Sequence, residues 1–183
     1  MIRFFYYFMG LLLLSACQDN TLPKPKAQLQ LEYPYPVYGK FNSNCNFSFD
    51  YNSIAKIKAE KKCEFELHYP KMKATIYLTY KPVTNNIDSL LRDAQKLTYD
   101  HVIKADEISS QPFINNTNKV YGMFSEVGGN AATNAQFYVT DSTKNFLYGS
   151  MYFYAKPNYD SILPAANYIK NDIRKIMETV AWQ

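Results

Sequence analysis

The sequence predicts a single α+β domain, in which two main helices pack on an antiparallel sheet of about seven strands. Apolar and polar residues alternate along several short segments, which is typical of half-buried strands. Two longer segments repeat their apolar residues at i, i+3, i+4 and i+7 spacing, which is typical of amphipathic helices. The segments follow the order strands, helix, strands, helix along 183 residues. In a chain of one-domain length, that order indicates the α+β class.

The composition excludes several classes of protein. Hydrophobic residues make up 47% of the chain and charged residues 20%, which is too apolar for a wholly disordered protein. The 17 tyrosines and 12 phenylalanines favour a sheet, and with only 6 glycines they exclude a collagen-like chain. The net charge of +4 is small and dispersed, so we expect no nucleic-acid partner.

Residues 1–16 have the layout of a secretory signal peptide. Arg3 supplies a positive start, and the apolar run Phe4–Leu14 is too short for a membrane-spanning helix, which needs about 20 residues. The residues Leu14-Ser15-Ala16-Cys17 match a bacterial lipobox, in which the cysteine is acylated and becomes the new N-terminus. We therefore expect Cys17 to hold the protein by its lipid at an envelope membrane, with the domain in the periplasm. An ordinary signal peptide or short anchor with an incidental cysteine is the alternative.

The lipidated Cys17 begins a predicted extended tether, residues 17–40, and the α+β domain is predicted over residues 41–183. Prolines recur in the tether at Leu22–Lys26 and Tyr33–Pro36. Such sequences favour extended backbone at about 3.1 Å per residue. The tether is therefore expected to lift the domain away from the bilayer.

Four short alternating segments in the first part of the domain predict an antiparallel meander. Turn-forming residues separate them. The segments are Cys45–Tyr51, Ala55–Ala59, Cys63–Tyr69 and Ala74–Tyr80. If the first two form a hairpin, Cys45 lies opposite about Glu60 and close to Cys63, at one end of the sheet.

The second part of the domain predicts two helices and a further set of strands. In chain order, the predicted elements are a helix Ile87–His101, a short strand Val102–Ile108, a loop Ser109–Asn118, strands Val120–Val127, Gln136–Thr140 and Phe146–Tyr154, and a helix Ser161–Val180. A turn at Asp141-Ser142-Thr143 is expected because Asp and Ser bond their own backbone. The last helix has an apolar stripe formed by Ile162, Ala166, Ile169, Ile173, Ile176, Met177 and Val180.

Cys45 and Cys63 are the cysteines that remain after Cys17. In an oxidising periplasm, two cysteines in one domain favour a disulfide, which would add about 3 kcal/mol of stability on a loop-entropy argument. Two buried free thiols are one alternative. A zinc site completed by His68 and His101 is another, although these residues lack the short paired spacing typical of zinc sites. We expect the disulfide and no metal.

No group of residues predicts catalysis. The Gly-x-Ser-x-Gly motif of serine hydrolases does not occur. Glu64 and Glu66 share one strand face, but Lys56 and Lys58 lie near enough to form cross-strand charge pairs with them. A glycosidase carboxylate pair is therefore the less favoured interpretation. We expect no catalytic residue and no cofactor.

Two features are candidate contacts with a partner protein. Gly128, Gly129 and Asn130 form a predicted tight turn, which either only closes a strand pair or is presented to a partner. Tyr33 and Tyr35 lie in the tether and are expected to dock on the chain's own domain or on a partner.

A set of motifs distributed along the chain resembles one family. The motifs are the lipobox, Cys-x-Phe-Ser-Phe at Cys45–Phe49, Tyr-Gly-x5-Gly-Gly-Asn-Ala-Ala at Tyr121–Ala132, Lys104-Ala105-Asp106, Gln136–Thr143, Asp172-Ile173 and Met177–Trp182. In combination they resemble the GldD family, gliding-motility lipoproteins of the Bacteroidota, over nearly the whole mature chain. The resemblance implies a lipidated Cys17, paired cysteines and a non-enzymatic envelope protein needed for gliding and for the linked type IX secretion machinery.

Two functional hypotheses of different class follow. The favoured one is a lipid-tethered scaffold that contacts other gliding and secretion proteins of the envelope. The alternative is a binding module or hydrolase for cell-wall glycan or a small ligand. A binding module should have a concave site with converging polar groups, whereas a scaffold should expose a tyrosine-rich patch.

Overall fold

The computed structural model describes residues 32–59, 62–99, 107–129, 133–154 and 159–183. The predicted signal peptide, Cys17 and most of the tether lie outside these ranges. Ten strands and two helices are described: β1 Tyr38–Asn42, β2 Phe47–Asn52, β3 Lys56–Ala59, β4 Glu64–Tyr69, β5 Ala74–Pro82, α1 Ile87–Tyr99, β6 Glu107–Asn115, β7 Val120–Gly128, β8 Thr133–Thr140, β9 Asn145–Phe153, α2 Tyr159–Thr179 and β10 Ala181–Trp182.

The strands form two antiparallel sheets. The large sheet has seven strands in the order β3-β4-β5-β9-β8-β7-β6, and the small sheet has three in the order β1-β2-β10. Helix α2 packs against β2, β7 and β8 and so fills the space between the two sheets. The predicted α+β domain with a sheet of about seven strands and two main helices is therefore confirmed.

The predicted hairpin between the first two alternating segments is wrong. β2 pairs with β1 on one side, where Phe49 lies opposite Phe41, and with β10 on the other, where Phe47 lies opposite Trp182. β3 pairs with β4 in the large sheet instead. Alternation defines the two faces of a strand, but it carries no information about which strand lies beside it.

The predicted disulfide between Cys45 and Cys63 is present. Cys45 lies two residues before β2 and Cys63 directly precedes β4, so the bond joins the small sheet to the large one. The two sulfurs are therefore not brought together by a hairpin of β2 and β3. They meet because the two sheets share one core.

The main core lies between the inner face of the large sheet, the small sheet and α2. The predicted apolar stripe of the last helix is confirmed, since all seven of its residues are buried. They pack against side chains of β4, β5 and β9 such as Leu67, Ile76 and Leu147. α1 instead covers part of the outer face of the large sheet, where Leu90 and Ala94 contact Phe146 in a smaller apolar cluster.

The predicted loop Ser109–Asn118 is wrong over most of its length. Residues 107–115 form β6, an edge strand paired with β7 along its whole length, and only the residues after it form a turn. Its polar composition and Pro112 are compatible with an edge, where a proline needs no partner for its missing N–H. Residues 102–106 of the predicted preceding strand lie outside the described residues.

Two short strands have no counterpart among the predicted elements. β1 begins at Tyr38, within the stretch assigned to the tether, and β10 contains only Ala181 and Trp182. The two residues of β10 are too few to show a period in hydrophobicity, and the five residues of β1, Tyr-Gly-Lys-Phe-Asn, do not alternate. No described helix is both long enough and apolar enough to cross a membrane.

Candidate functional site

A buried polar site surrounds Asp172 of α2. Asp172 is only 1% exposed. The Tyr38 hydroxyl donates a hydrogen bond to its Oδ1 at 2.9 Å, and the Tyr69 hydroxyl donates to its Oδ2 at 3.0 Å. Asn52 Nδ2 lies 3.2 Å from Oδ1 and 3.0 Å from Oδ2. Donors from β1, β2 and β4 therefore converge on one carboxylate of α2.

Burial and these hydrogen bonds act in opposite directions on Asp172. Burial raises the pKa of Asp172, and the donors Asn52, Tyr38 and Tyr69 partly oppose that rise. Burial, together with Asp172 itself, raises the pKa of Tyr38 and of Tyr69, so both phenols remain protonated donors. With its two oxygens engaged by three donors, the carboxylate is positioned to hold the fold together and not to accept a proton from a substrate.

The Asp172 network extends to residues 33–37, which we call the N-terminal strap. Asn52 Nδ2 also donates to the Tyr168 hydroxyl at 2.9 Å, and that hydroxyl donates to the Pro34 carbonyl oxygen at 2.8 Å. The ring of Tyr33 packs on Tyr168 with centroids 5.2 Å apart. The end of the predicted tether is therefore fastened to α2.

Sequence reasoning did not find Asp172 as a site residue, although a signal was present. Asp172 follows Ile169 by three positions and precedes Ile176 by four, so helical spacing places it beside the buried stripe. A buried carboxylate requires hydrogen-bond partners. The three partners come from strands remote in sequence, and no local pattern identifies them.

A second polar cluster fixes α2 on β7. Lys170 Nζ donates to Glu126 Oε2 at 2.8 Å, and Arg174 forms an ion pair with Glu126 Oε1. The Arg174 guanidinium also lies over the Phe124 ring, 4.6 Å from its centroid. Burial opposes ionisation of Glu126, but Lys170 and Arg174 outweigh it and lower the pKa of that carboxyl.

His68 links two side chains on the outer face of the large sheet. Its Nε2 lies 2.6 Å from Glu66 Oε2, and its Nδ1 lies 3.0 Å from the Thr75 hydroxyl. A hydroxyl, an imidazole and a carboxylate in this order resemble a hydrolase triad. Thr75, however, is fully buried, so a substrate carbonyl has no access to its hydroxyl.

The charge pairing expected for Glu66 agrees with the register of the sheet. Lys58 lies opposite Glu66, and Lys56 lies opposite His68, on adjacent strands. Cys45 and Cys63 form a disulfide, so their sulfurs are not free to bind zinc as the alternative interpretation required. His101 lies outside the described residues, and among those that are described no group of three or more metal-binding side chains occurs.

The predicted partner-contact residues are placed differently from one another. Tyr33 docks on the chain's own domain, whereas Tyr35 is 94% exposed. Gly128 ends β7 opposite Glu107, and Gly129 adopts a φ of 90°, as expected for a tight turn. Asn130, the third residue of that predicted turn, lies outside the described residues.

Comparison with known proteins identifies the family. Residues 18–182 match the family described as gliding motility lipoprotein GldD. The chain belongs to the GldD family. The match covers nearly the whole chain, including both cysteines of the disulfide and all residues of the Asp172 network, and it confirms the resemblance found in the sequence motifs. A search of curated proteins finds no match. GldD membership makes the chain a gliding-motility lipoprotein and associates it with the motility machinery and the cell envelope.

Proposed function

We propose that this GldD protein is a lipid-anchored, non-enzymatic part of the gliding-motility and type IX secretion apparatus, and that it acts by contact with other envelope proteins. Its family membership over residues 18–182 is the observation that carries the proposal. The matched region begins directly after Cys17, the residue that we propose is acylated.

The engagement of the buried polar groups supports a non-enzymatic role. Asp172 is occupied by three donors, and Glu126 is occupied by two cations of α2. The hydroxyl next to His68 is buried. In each cluster the side chains that an enzyme would use for proton transfer or attack serve instead to join elements of the fold.

The N-terminal strap supplies a defined contact surface. Tyr35 and Val37 are the exposed apolar side chains of this segment, while Tyr33 and Pro34 attach it to Tyr168. The strap is thus attached to the domain while two apolar side chains project from it. Exposed aromatic and aliphatic side chains on such an attached segment are available for contact with another protein.

Tether length limits where that contact can occur. The stretch from Cys17 to Tyr33 reaches roughly 50–60 Å when fully extended. A partner of the strap should therefore lie within this distance of the membrane that holds the lipid. We propose that the domain faces the periplasm, where it lies beside the membrane that holds its lipid and can reach other envelope proteins.

Co-purification from the native bacterium tests the proposal. The full-length protein, tagged at its C-terminus, is extracted from envelopes with mild detergent and its partners are identified by mass spectrometry. We expect motility or secretion proteins to co-purify with the wild type and to be lost from a Tyr35→Ala/Val37→Ser variant.

The matched control changes another exposed apolar residue, Ile114→Ser on β6, which lies outside the strap. It should retain the partners. A wild-type protein that is monomeric and partner-free under the same extraction would contradict the scaffold role. Equal loss from both variants would contradict the assignment of the contact to the strap.

A further inference from the structure

The N-terminal strap and β1 lie at the outside of the small sheet. β1 is the edge strand of that sheet and pairs with β2 alone among the described strands. None of its five residues is buried, whereas Phe47 and Phe49 of β2 are completely buried. An edge segment with few buried side chains opens at a lower free energy than the core on which it lies. The strap and β1 can therefore detach while β2 stays in place.

Side-chain contacts with α2 fasten the beginning of this segment. The Tyr168 hydroxyl donates a hydrogen bond to the Pro34 carbonyl oxygen at 2.8 Å, and the Tyr33 ring packs on that of Tyr168. The Tyr38 hydroxyl donates to Asp172 at 2.9 Å. These contacts lie where the chain enters the domain. A pull on the tether therefore loads them before it loads the rest of the β1–β2 pairing.

Detachment of the strap and β1 leaves partners for the polar groups that they contact. Without the Tyr38 hydroxyl, Asp172 still accepts hydrogen bonds from Asn52 and Tyr69. The Tyr168 hydroxyl still accepts its hydrogen bond from Asn52. Local opening is costly when it leaves a buried polar group unpaired, and neither Asp172 nor Tyr168 is left in that condition. The detached state is therefore compatible with a folded core.

The disulfide sets the point at which such an opening ends. Cys45 is the third residue after β1, and its sulfur is bonded to that of Cys63. Cys63 directly precedes β4, and its carbonyl oxygen accepts a hydrogen bond from the Tyr80 N–H of β5 at 3.0 Å. β4 lies between β3 and β5 in the large sheet. A pull that reaches Cys45 therefore passes through the two sulfurs into the large sheet and bypasses β2.

We infer that residues 33–44 form a releasable clamp: tension on the tether detaches the strap and β1 from α2 and β2, and the Cys45–Cys63 bond stops the release at Cys45. The released segment adds up to roughly 40 Å to the reach of the tether, at about 3.4 Å per residue. The domain thus follows a partner that moves away from the membrane while its core stays folded. The source of the tension rests on the proposed anchoring at Cys17, whereas the clamp and its stop rest on the contacts above.

Magnetic tweezers apply this tension directly to the mature chain that begins at Cys17. One handle is attached to the Cys17 thiol, where the lipid would pull, and the other to an azide-bearing side chain that replaces the exposed Lys71. Lys71 lies two positions after Tyr69, which bonds the same carboxylate as Tyr38, so the pull opens the β1–β2 pairing from its Tyr38 end. Because the handle requires no lipid, failure of the clamp is distinct from failure of the anchoring proposal.

The oxidised wild type should extend in one reversible step, in which the contour length increases by at most roughly 40 Å, and should then extend no further at that force. In a Cys45→Ser/Cys63→Ser variant, the same step should be followed by a second extension as β2 and β3 detach.

Two conservative variants test the contacts that hold the clamp closed. Tyr38→Phe and Tyr168→Phe should each shorten the lifetime of the closed state at constant force roughly fivefold, because each removes one hydrogen bond of the clamp. Tyr35→Phe, which changes the 94% exposed tyrosine of the strap, is the matched control and should open like the wild type. The circular dichroism spectrum and melting temperature of each variant establish that it is folded before it is pulled.

Three results would overturn the inference. The first is a wild-type step clearly longer than the clamp, which would mean that the core unfolds together with β1. The second is an equal closed-state lifetime for Tyr38→Phe, Tyr168→Phe and the Tyr35→Phe control, which would mean that these contacts do not hold the clamp. The third is a disulfide-free variant that stops where the oxidised protein stops, which would mean that β2 and not the disulfide limits the release.

Discussion

The Tyr38 hydroxyl lies 2.9 Å from Asp172 Oδ1 and joins the first strand to the last helix across 134 positions of the sequence. Through Asn52 and Tyr168, the same carboxylate is connected to Pro34 in the N-terminal strap. A lipid tether attached upstream would therefore transmit its pull to the C-terminal helix, within the core. In the GldD chain, the N-terminal strap is therefore connected to the buried Asp172 carboxylate.

Replacing Asp172 by alanine should lower the free energy of unfolding by about 3 kcal/mol, because the buried donors of Tyr69 and Asn52 and the half-buried hydroxyl of Tyr38 would lose their acceptor. For a domain of this size, that loss corresponds to a fall of roughly 6–12 °C in melting temperature. Thermal unfolding followed by circular dichroism measures it. Asp160→Ala, which removes an exposed carboxylate from the same helix, should cost less than about 1 kcal/mol. Equal costs at the two positions would show that the network does not stabilise the fold.

Asp172→Asn should change the pH dependence of stability in a defined direction. Burial raises the pKa of Asp172 above its ordinary 3.8, so the folded state holds this proton more tightly than the unfolded state. The wild type therefore loses stability as the pH rises from about 3.8 through the raised pKa. The variant lacks this loss, so its stability relative to the wild type should increase over that interval in denaturant titrations. A constant difference from pH 4 to pH 7 would contradict the prediction.

Glu126→Gln should show the opposite dependence. Burial disfavours the charged form, but Lys170 and Arg174 lower the pKa of Glu126 below its ordinary 4.5. The contribution of Glu126 to the free energy of unfolding is complete above pH 4.5, and it is lost as the pH falls through the lowered pKa of this carboxyl. We expect the variant to be less stable by about 2 kcal/mol at pH 7, since it leaves Lys170 without its charged partner, and the difference should shrink below pH 4.5. Urea unfolding at several pH values measures it, and a difference that grows on acidification would contradict the assignment.

The disulfide should stabilise mainly the small sheet against local unfolding. Cys45 and Cys63 are separated by 18 positions, and opening such a loop costs about 3 kcal/mol on the entropic argument. In a Cys45→Ser/Cys63→Ser variant, hydrogen exchange should accelerate more in β2 and β10 than in β8, at the centre of the large sheet. Reduction of the wild type is the matched control and should give the same pattern. Uniform acceleration would mean that the bond does not hold the two sheets together selectively.

The sequence predicted where most strands and helices lie, but it did not predict which strands lie side by side. Alternation around Phe47 and Phe49 identified β2, but its two partners are strands of five and two residues that show no period. Pro112 and the polar residues around it suggested a loop, because a proline is excluded from central strands and tolerated at an edge. Edge position is a property of the assembled sheet and is not encoded locally.

The candidate sites were less predictable than the fold. Lipobox spacing and the pair Cys45 and Cys63 are local or compositional signals, so they could be identified directly. The Asp172 network depends on contacts between elements far apart in the chain. Its donors Tyr38, Asn52 and Tyr69 lie on three different strands, each more than 100 positions from Asp172, so no local pattern brings them together.

Mass spectrometry of the mature protein, extracted with detergent from envelopes of the native bacterium, tests the lipid-tethered role most directly. We expect a chain whose first residue is Cys17, with a mass increment that accounts for acyl chains and a fragmentation pattern that places them on this cysteine. A chain that still begins at Met1, or a pool released without detergent in which Cys17 is unmodified, would contradict that role.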